Sequence, residues 1–237
     1  MKYILLITLI LGISSYTENE KIVWDFLMSS GLTKAGAAGL MGNLKAESDI
    51  RSVVYQDSYK SIIGLTDQEY VDYVNDGRYS EWNFIHDSVG FGLAQWTYYS
   101  RKEALLNSCR GKIGDMYCQV DYLVREISES YYGVNQVIRS SNNVRECALK
   151  VLFEFESPED QSESVQNYRA GLAEEYYHIF GKEYSIVEPF GKVYRVKLGD
   201  NLYTIAERFG TTIDELAKLN SIDNVNEIVV GEVIILP

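Results

Sequence analysis

Glu47 closes a run of small and apolar residues, Thr33-Lys34-Ala35-Gly36-Ala37-Ala38-Gly39-Leu40-Met41-Gly42-Asn43-Leu44-Lys45-Ala46-Glu47-Ser48. A carboxyl at the C-terminal end of a helix faces the negative pole of the helix dipole, which favours its neutral form. Burial among aromatics acts in the same direction. A carboxyl that keeps its proton near neutral pH can protonate a glycosidic oxygen as general acid. A solvated glutamate near a helix end would look the same, so this stretch alone does not decide.

A second run, His86-Asp87-Ser88-Val89-Gly90-Phe91-Gly92-Leu93-Ala94-Gln95-Trp96-Thr97, offers glycines where backbone can approach a ligand, then an amide and an indole. Asp87 in this run and Asp57, soon after Glu47, are the candidate second carboxylates. An inverting hydrolase needs its base about 6.5–9.5 Å from the acid, a retaining one about 5–5.5 Å. Ser48, Gln95, Trp96 and Tyr98 are candidate substrate contacts, with Trp96 equally suited to a core. No Ser-His-Asp grouping makes Ser48 a nucleophile. His86 reads as a structural hydrogen-bonding residue, and Glu156 as an anchor of the next helix together with Asp160 and Arg169.

These residues need elements to hold them. Apolar residues at helical spacing predict helices over 22–30, 34–47, 101–108, 117–128, 144–155 and 163–180, with Thr33 capping the second. Residues 50–91 read as loop and short strands with one short helix around 67–75. Glu188-Pro189-Phe190-Gly191 interrupts the pattern, so 181–192 is a linker. Beyond it, a strand at 193–196, helices at 201–209 and 213–220, and a strand at 232–236 form a βααβ unit. Asp200 is expected to cap its first helix, and Thr211 or Thr212 with Glu215 its second. Ile205, Phe209, Leu216 and Leu219 supply its core.

Lys2, the apolar run 3–13 and the small residues Gly12, Ser14 and Ser15 have the form of a signal peptide over 1–15. The mature protein is then secreted, extracellular and without a membrane segment. Three cysteines allow one bridge in an oxidising compartment. Cys109 and Cys118 flank a short polar turn that a bridge could close. Cys147 suits a core, though it could reach either of the others. The cysteine and histidine spacings fit no compact metal site, and nothing calls for a cofactor. Among 237 residues, 22 Lys and Arg face 34 Asp and Glu, a net charge of −12. That balance argues against nucleic acid and anionic membranes as partners.

Tyr194-Arg195-Val196-Lys197-Leu198-Gly199-Asp200-Asn201-Leu202-Tyr203, then Phe209-Gly210-Thr211-Thr212 and Val230-Gly231-Glu232, resemble a LysM domain over 193–237. The resemblance implies a groove for N-acetylglucosamine-containing glycans, lined by Gly199, Asp200, Asn201, Leu202 and Tyr203 with Asn226, Glu227 and Ile228 opposite. Val225 stands where many members have Pro. Gly39-Leu40-Met41-Gly42-Asn43-Leu44-Lys45-Ala46-Glu47-Ser48, the His86–Thr97 run and Phe155-Glu156-Ser157-Pro158-Glu159-Asp160-Gln161-Ser162 resemble the phage tail lysozyme family, within the lysozyme-like superfamily of goose-type lysozymes and lytic transglycosylases. The resemblance implies a mainly α (α+β) lysozyme-like catalytic domain at 16–180, plus the small βααβ LysM domain. It also implies a monomeric muramidase that cleaves β-1,4 bonds of peptidoglycan with Glu47 as general acid. A lytic transglycosylase, a chitin-directed enzyme and a non-catalytic glycan-binding effector are the alternatives.

Overall fold

The computed structural model describes residues 16–181, 193–196, 199–220, 222, 224–226, 228 and 233–237. The expected signal peptide, and all of the expected linker except Gly181, lie outside the described residues. The chain divides into two compact units, Met1–Lys182 and Glu183–Pro237.

The first unit is built around one helix, α2 (Lys34–Ser48), in which every residue from Ala35 to Leu44 is buried. A helix apolar on all sides belongs at the centre of a bundle. Thr33 starts it as expected, accepting from Gly36 N at 2.9 Å. Its glycines set how closely its neighbours lie. A Cβ at Gly36 would sit 1.8 Å from Ile138 O, one at Gly39 2.6 Å from Cys147 Cβ, and one at Gly42 2.6 Å from Ala173 N. Those partners belong to α8 (Tyr132–Ser140), α9 (Val144–Val151) and α10 (Glu163–Tyr176). Three helices thus meet α2 at backbone contact distance. α1 (Glu18–Ser29) joins them through buried Glu20, which accepts from Lys45 of α2 at 3.1 Å and from Tyr176 of α10 at 2.5 Å.

Elsewhere in this unit lie α3 (Lys60–Ile63), α4 (Asp67–Asn75), α5 (Glu81–His86), α6 (Tyr99–Ser108) and α7 (Met116–Ser130). The strands expected within 50–91 reduce to isolated bridges, Tyr55 with Phe91 and Phe91 with Trp96. Both α9 and α10 widen into π-helical turns, Leu152–Glu156 and Tyr177–Gly181. Cys109 and Cys118 form the disulfide between α6 and α7, and Cys147 is a buried free thiol. Among the described residues, no helix is long and apolar enough to cross a membrane.

In the second unit, β1 (Val193–Arg195) pairs antiparallel with β2 (Val233–Ile235), Tyr194 opposite Ile234. Between them come α11 (Leu202–Phe209) and α12 (Ile213–Asn220). Val196, Leu202, Ile205, Ala206, Leu216, Ile234 and Leu236 form the core. Two expectations need correction here. Phe209 and Leu219 are 41% and 45% exposed, and Asn201 rather than Asp200 caps α11, accepting from Thr204 N at 2.9 Å. Thr212 starts α12 as expected, accepting from Glu215 N at 3.2 Å.

Candidate active site

Glu47 stands on the last turn of α2, where the chain leaves the helix through two left-handed residues, Asp49 (φ 57°) and Ile50 (φ 51°). That backbone costs about 1–2 kcal/mol per residue, and most for a β-branched side chain. Five non-glycine residues among those described have positive φ: Asp49, Ile50, Ser88, Gln95 and Ser157. They follow Glu47-Ser48, lie within the His86–Thr97 loop, and follow Glu156. Such strain concentrates at functional sites.

The Glu47 carboxylate accepts from Arg169 of α10 at 2.5 Å and remains partly accessible, with 21% of its side-chain surface exposed. Arg169 is nearly buried and also donates to Asn43 at 3.2 Å. Asn43 is fixed in turn by donating to Gly39 O and Ala148 O. Close packing of α2 on α9 and α10 thereby sets the position of the guanidinium. Glu156, at the end of the π-turn, completes the group. It is half-buried as a residue, but its Oε1 is sealed from solvent and has no hydrogen-bond partner. Burial first, then the Glu47 charge, push its carboxyl up to about 8, against the pull of Arg101 and Arg169. Glu156 therefore does not anchor the next helix. Asp160 does so by itself, accepting from Ser162 N at 2.9 Å.

The 90s loop is tied to this end of α2 by Ser48. Its buried hydroxyl donates to Leu93 O at 2.8 Å, with Leu44 O as a second acceptor within reach at 3.2 Å, so Ser48 is a tie and not a substrate contact. Gly92 (φ 70°) allows the loop to turn over Gln119, whose Oε1 a Cβ would meet at 2.5 Å. Trp96 is corrected to a core residue: it is fully buried and donates to Glu126 at 2.9 Å. Glu126 is also held by Arg101 at 2.6 Å and Tyr122 at 3.2 Å. Gln95 is partly exposed and donates to Gly92 O at 3.1 Å, while Tyr98 is 72% exposed. Both keep surface that a ligand can touch.

Both candidate second carboxylates are paired with a lysine. Asp87 accepts from Tyr70 at 2.6 Å, from Tyr79 at 3.3 Å, from Val89 N at 2.9 Å, and from Lys102. Lys102 is fully buried, and burial pulls its ammonium down to about 8 despite Asp87. Asp87 is thus the partner of an interior cation. Asp57 is 83% exposed and pairs with Lys60 at 2.7 Å. His86 has the structural bond expected of it, between Nδ1 and Trp82 O at 2.8 Å. It also stacks between the exposed rings of Trp82, at 4.6 Å, and Tyr99, at 6.2 Å. This ring ladder was not anticipated. Its signal was the i, i+4 spacing of Trp82 and His86 on one helix face.

In the second unit, Gly199 is exposed at φ 88°, Tyr203 is 61% exposed and Asn226 is exposed. Asp200 accepts from Tyr194 at 2.6 Å, and Ile228 packs partly against the core. Leu202 is 1% exposed, a core residue and not a groove residue. Glu227 lies outside the described residues. A cavity of about 390 Å³ is lined by Tyr203, Glu207, Thr211 and Asp214. Another in the first unit, about 550 Å³, is lined by Glu20, Lys45, Glu174, Tyr176 and His178, and contains none of Glu47, Glu156 or Arg169. Among the described residues, no group of three or more His, Cys, Asp or Glu could hold a metal.

The helix-end glutamate, the strained loops around it and the βααβ unit belong to the lysozyme-like class with a LysM module. Residues 18–180 match the phage tail lysozyme family and 194–237 the LysM domain. The chain belongs to the phage tail lysozyme family. Morphogenesis protein 1 of Bacillus phage B103 is 21% identical over 167 residues, 68% of this chain and 39% of that relative.

Proposed function

We propose that the chain is a secreted peptidoglycan glycosidase that cleaves the β-1,4 bond between N-acetylmuramic acid and N-acetylglucosamine, with the LysM unit as its tether. The observation that carries this reading is Glu47: a partly accessible carboxylate at a helix end, clamped by buried Arg169. Glu47 in its acid form gives its proton to the bridging oxygen while the C1–O bond breaks. That oxygen keeps the bond's electron pair, and C1 takes on oxocarbenium character. Water then adds to C1 and returns a proton to the Glu47 carboxylate. Gln95, Tyr98 and the Trp82–His86–Tyr99 ladder offer amide and ring faces to flanking sugars. Tethering raises the local concentration of substrate without new contacts at the cleft.

One observation favours a second reading, lytic transglycosylation: Asp87 and Asp57 are both paired with lysines. In that reaction the sugar's own 6-hydroxyl attacks C1 in place of water, leaving a 1,6-anhydro end. Mass spectrometry of digests of purified peptidoglycan and of chitin tests both readings. A reducing end means hydrolysis, and a product lighter by one water means transglycosylation. Glu47→Gln lowers either activity by about 10²–10⁴-fold. Digestion unchanged by that substitution overturns the assignment.

A further inference from the structure

Three stacked rings stand in water, where burial does not stabilise them. Trp82 is 67% exposed, Tyr99 58%, and His86 is exposed as well. The His86 plane is inclined by 22° to Trp82 and by 5° to Tyr99, so the three faces share one direction. Among the described residues, every other stacked ring pair includes a buried ring.

Buried groups hold this ladder in place. Asp87, the residue after His86, is bound to fully buried Lys102, which lies one turn after Tyr99 on α6. One interior ion pair thus fixes the end of α5 against the first turn of α6. The bond between His86 Nδ1 and Trp82 O at 2.8 Å sets the rotation of the imidazole. Rings fixed in advance lose little further side-chain entropy when a partner covers them.

The chemistry around the rings selects that partner. Glu81, next to Trp82, is bound to Arg110, which also donates to Asn107 at 3.1 Å, so this pair presents no net charge. Among the described residues, no hydrogen bond engages His86 Nε2. A hydroxyl both donates and accepts, so it suits that nitrogen in either protonation state. A pyranose has an apolar C–H face with hydroxyls at its edge, which matches ring faces beside a polar nitrogen. The ladder is also continuous with the candidate active site. Leu93, bonded to Ser48 beside Glu47, precedes Tyr99 by six residues, which span at most about 22 Å. A few sugar units of one strand cover that reach.

We propose that the Trp82–His86–Tyr99 ladder is a glycan subsite. It holds a pyranose by its C–H face, away from the bond that is cut, with His86 Nε2 bonded to a hydroxyl of that sugar. Naming the occupant as a wall sugar rests on the proposed function. The subsite grips substrate and transition state alike, so it acts on KM and not on kcat.

Trp82 is itself the reporter. Trp24 and Trp96 are buried and the second unit has no tryptophan, so quenching of indole fluorescence by acrylamide reads the exposed ring of the first unit. The test uses the full chain carrying Glu47→Gln, which keeps the probe uncut. One probe is a soluble oligomer of alternating N-acetylglucosamine and N-acetylmuramic acid; the other is a peptidoglycan stem peptide without sugars. The oligomer lowers quenching towards that of the buried indoles, and the peptide leaves it unchanged. An oligomer without effect overturns the proposal, as does equal protection by the peptide. With Glu47 intact, Trp82→Ala and Tyr99→Ala each raise KM on solubilised peptidoglycan about three- to tenfold, as expected from losing about 30–50 Å² of covered ring face. Tyr99→Phe keeps the ring and the native KM. All of these side chains are exposed, so folding is not at stake. A KM unmoved by both alanines, or a loss confined to kcat, overturns the proposal. If the native chain cuts no peptidoglycan while the oligomer still shields Trp82, the glycosidase reading falls and the glycan subsite stands.

Discussion

Replacing Asp87 with asparagine separates a catalytic base from a structural anion. Asp87 is the anion against which fully buried Lys102 is held, and Lys102 also donates to Val89 O at 2.9 Å and to the Tyr70 hydroxyl at 3.5 Å. Removing one partner of a buried pair leaves an uncompensated charge and costs about 3–5 kcal/mol. With a urea slope of about 2 kcal/mol/M, the unfolding midpoint falls by about 1.5–2.5 M. Trp24, Trp82 and Trp96 are the chain's three tryptophans and all lie in the first unit, so indole fluorescence follows that unit alone. The effect also has a pH signature. Lys102 ionises at about 8 in the folded chain, below its ordinary 10.5, so unfolding takes up a proton between those values and native stability rises with pH there. Without Asp87 the folded value falls further, and the rise begins at lower pH. The deficit of Asp87→Asn is therefore largest near pH 6, shrinks as pH approaches 8, and stays constant from there to about 10. An unchanged midpoint with lysis abolished would refute this reasoning and return Asp87 to the role of base.

Reducing the Cys109–Cys118 bridge, which closes a nine-residue separation, costs about 2–3 kcal/mol on the chain-entropy account, and a thermal melt with and without reductant measures it. An identical melt would mean that the reduced chain keeps the turn ordered. Gly36→Ala places a methyl against Ile138 O and forces α8 away from α2. We expect a loss of about 1–3 kcal/mol or more by circular dichroism, and a melt equal to native contradicts that packing. Deleting 193–237 lowers binding to cell walls at least about tenfold, whereas raising salt changes binding of the intact chain little, because a chain at −12 is not held by bulk charge on polyanionic walls. Sedimentation with purified walls reads both, and salt-sensitive binding that survives the deletion is the contrary result.

Local signals carried the helices a long way. Thr33, Thr66 and Thr212 each precede a helix with its donor to be capped, and α2, α4 and α12 lie close to where apolar spacing placed them. Helix α8 escaped notice because it is short, contains Gly133, and buries only Val134 and Ile138. The site was legible to the extent that one residue's surroundings are sequence neighbours. Glu47 at a helix end is such a case. Arg169 comes to it from 122 positions away, and Glu126 comes to the Trp96 indole from 30. No spacing rule encodes such pairs, so Trp96 looked like a ligand contact and Asp87 like a free base. The Glu156 motif was visible, but the sealing of its oxygen is a property of the folded chain that no local spacing encodes.

The left-handed residues around the site set a limit on how far this chain can be hardened. Glycine at Ser88 or Ser157 would relieve about 1–2 kcal/mol of backbone strain and return about half of that as entropy of the unfolded chain. Both changes would raise the melting temperature of the first unit. The two serines are also the pivots of the loops that fix Gln95 and Glu156. A variant selected for heat resistance would thus be drawn to the same few positions that surround Glu47. On the proposed function, durability and lytic rate compete there, residue by residue.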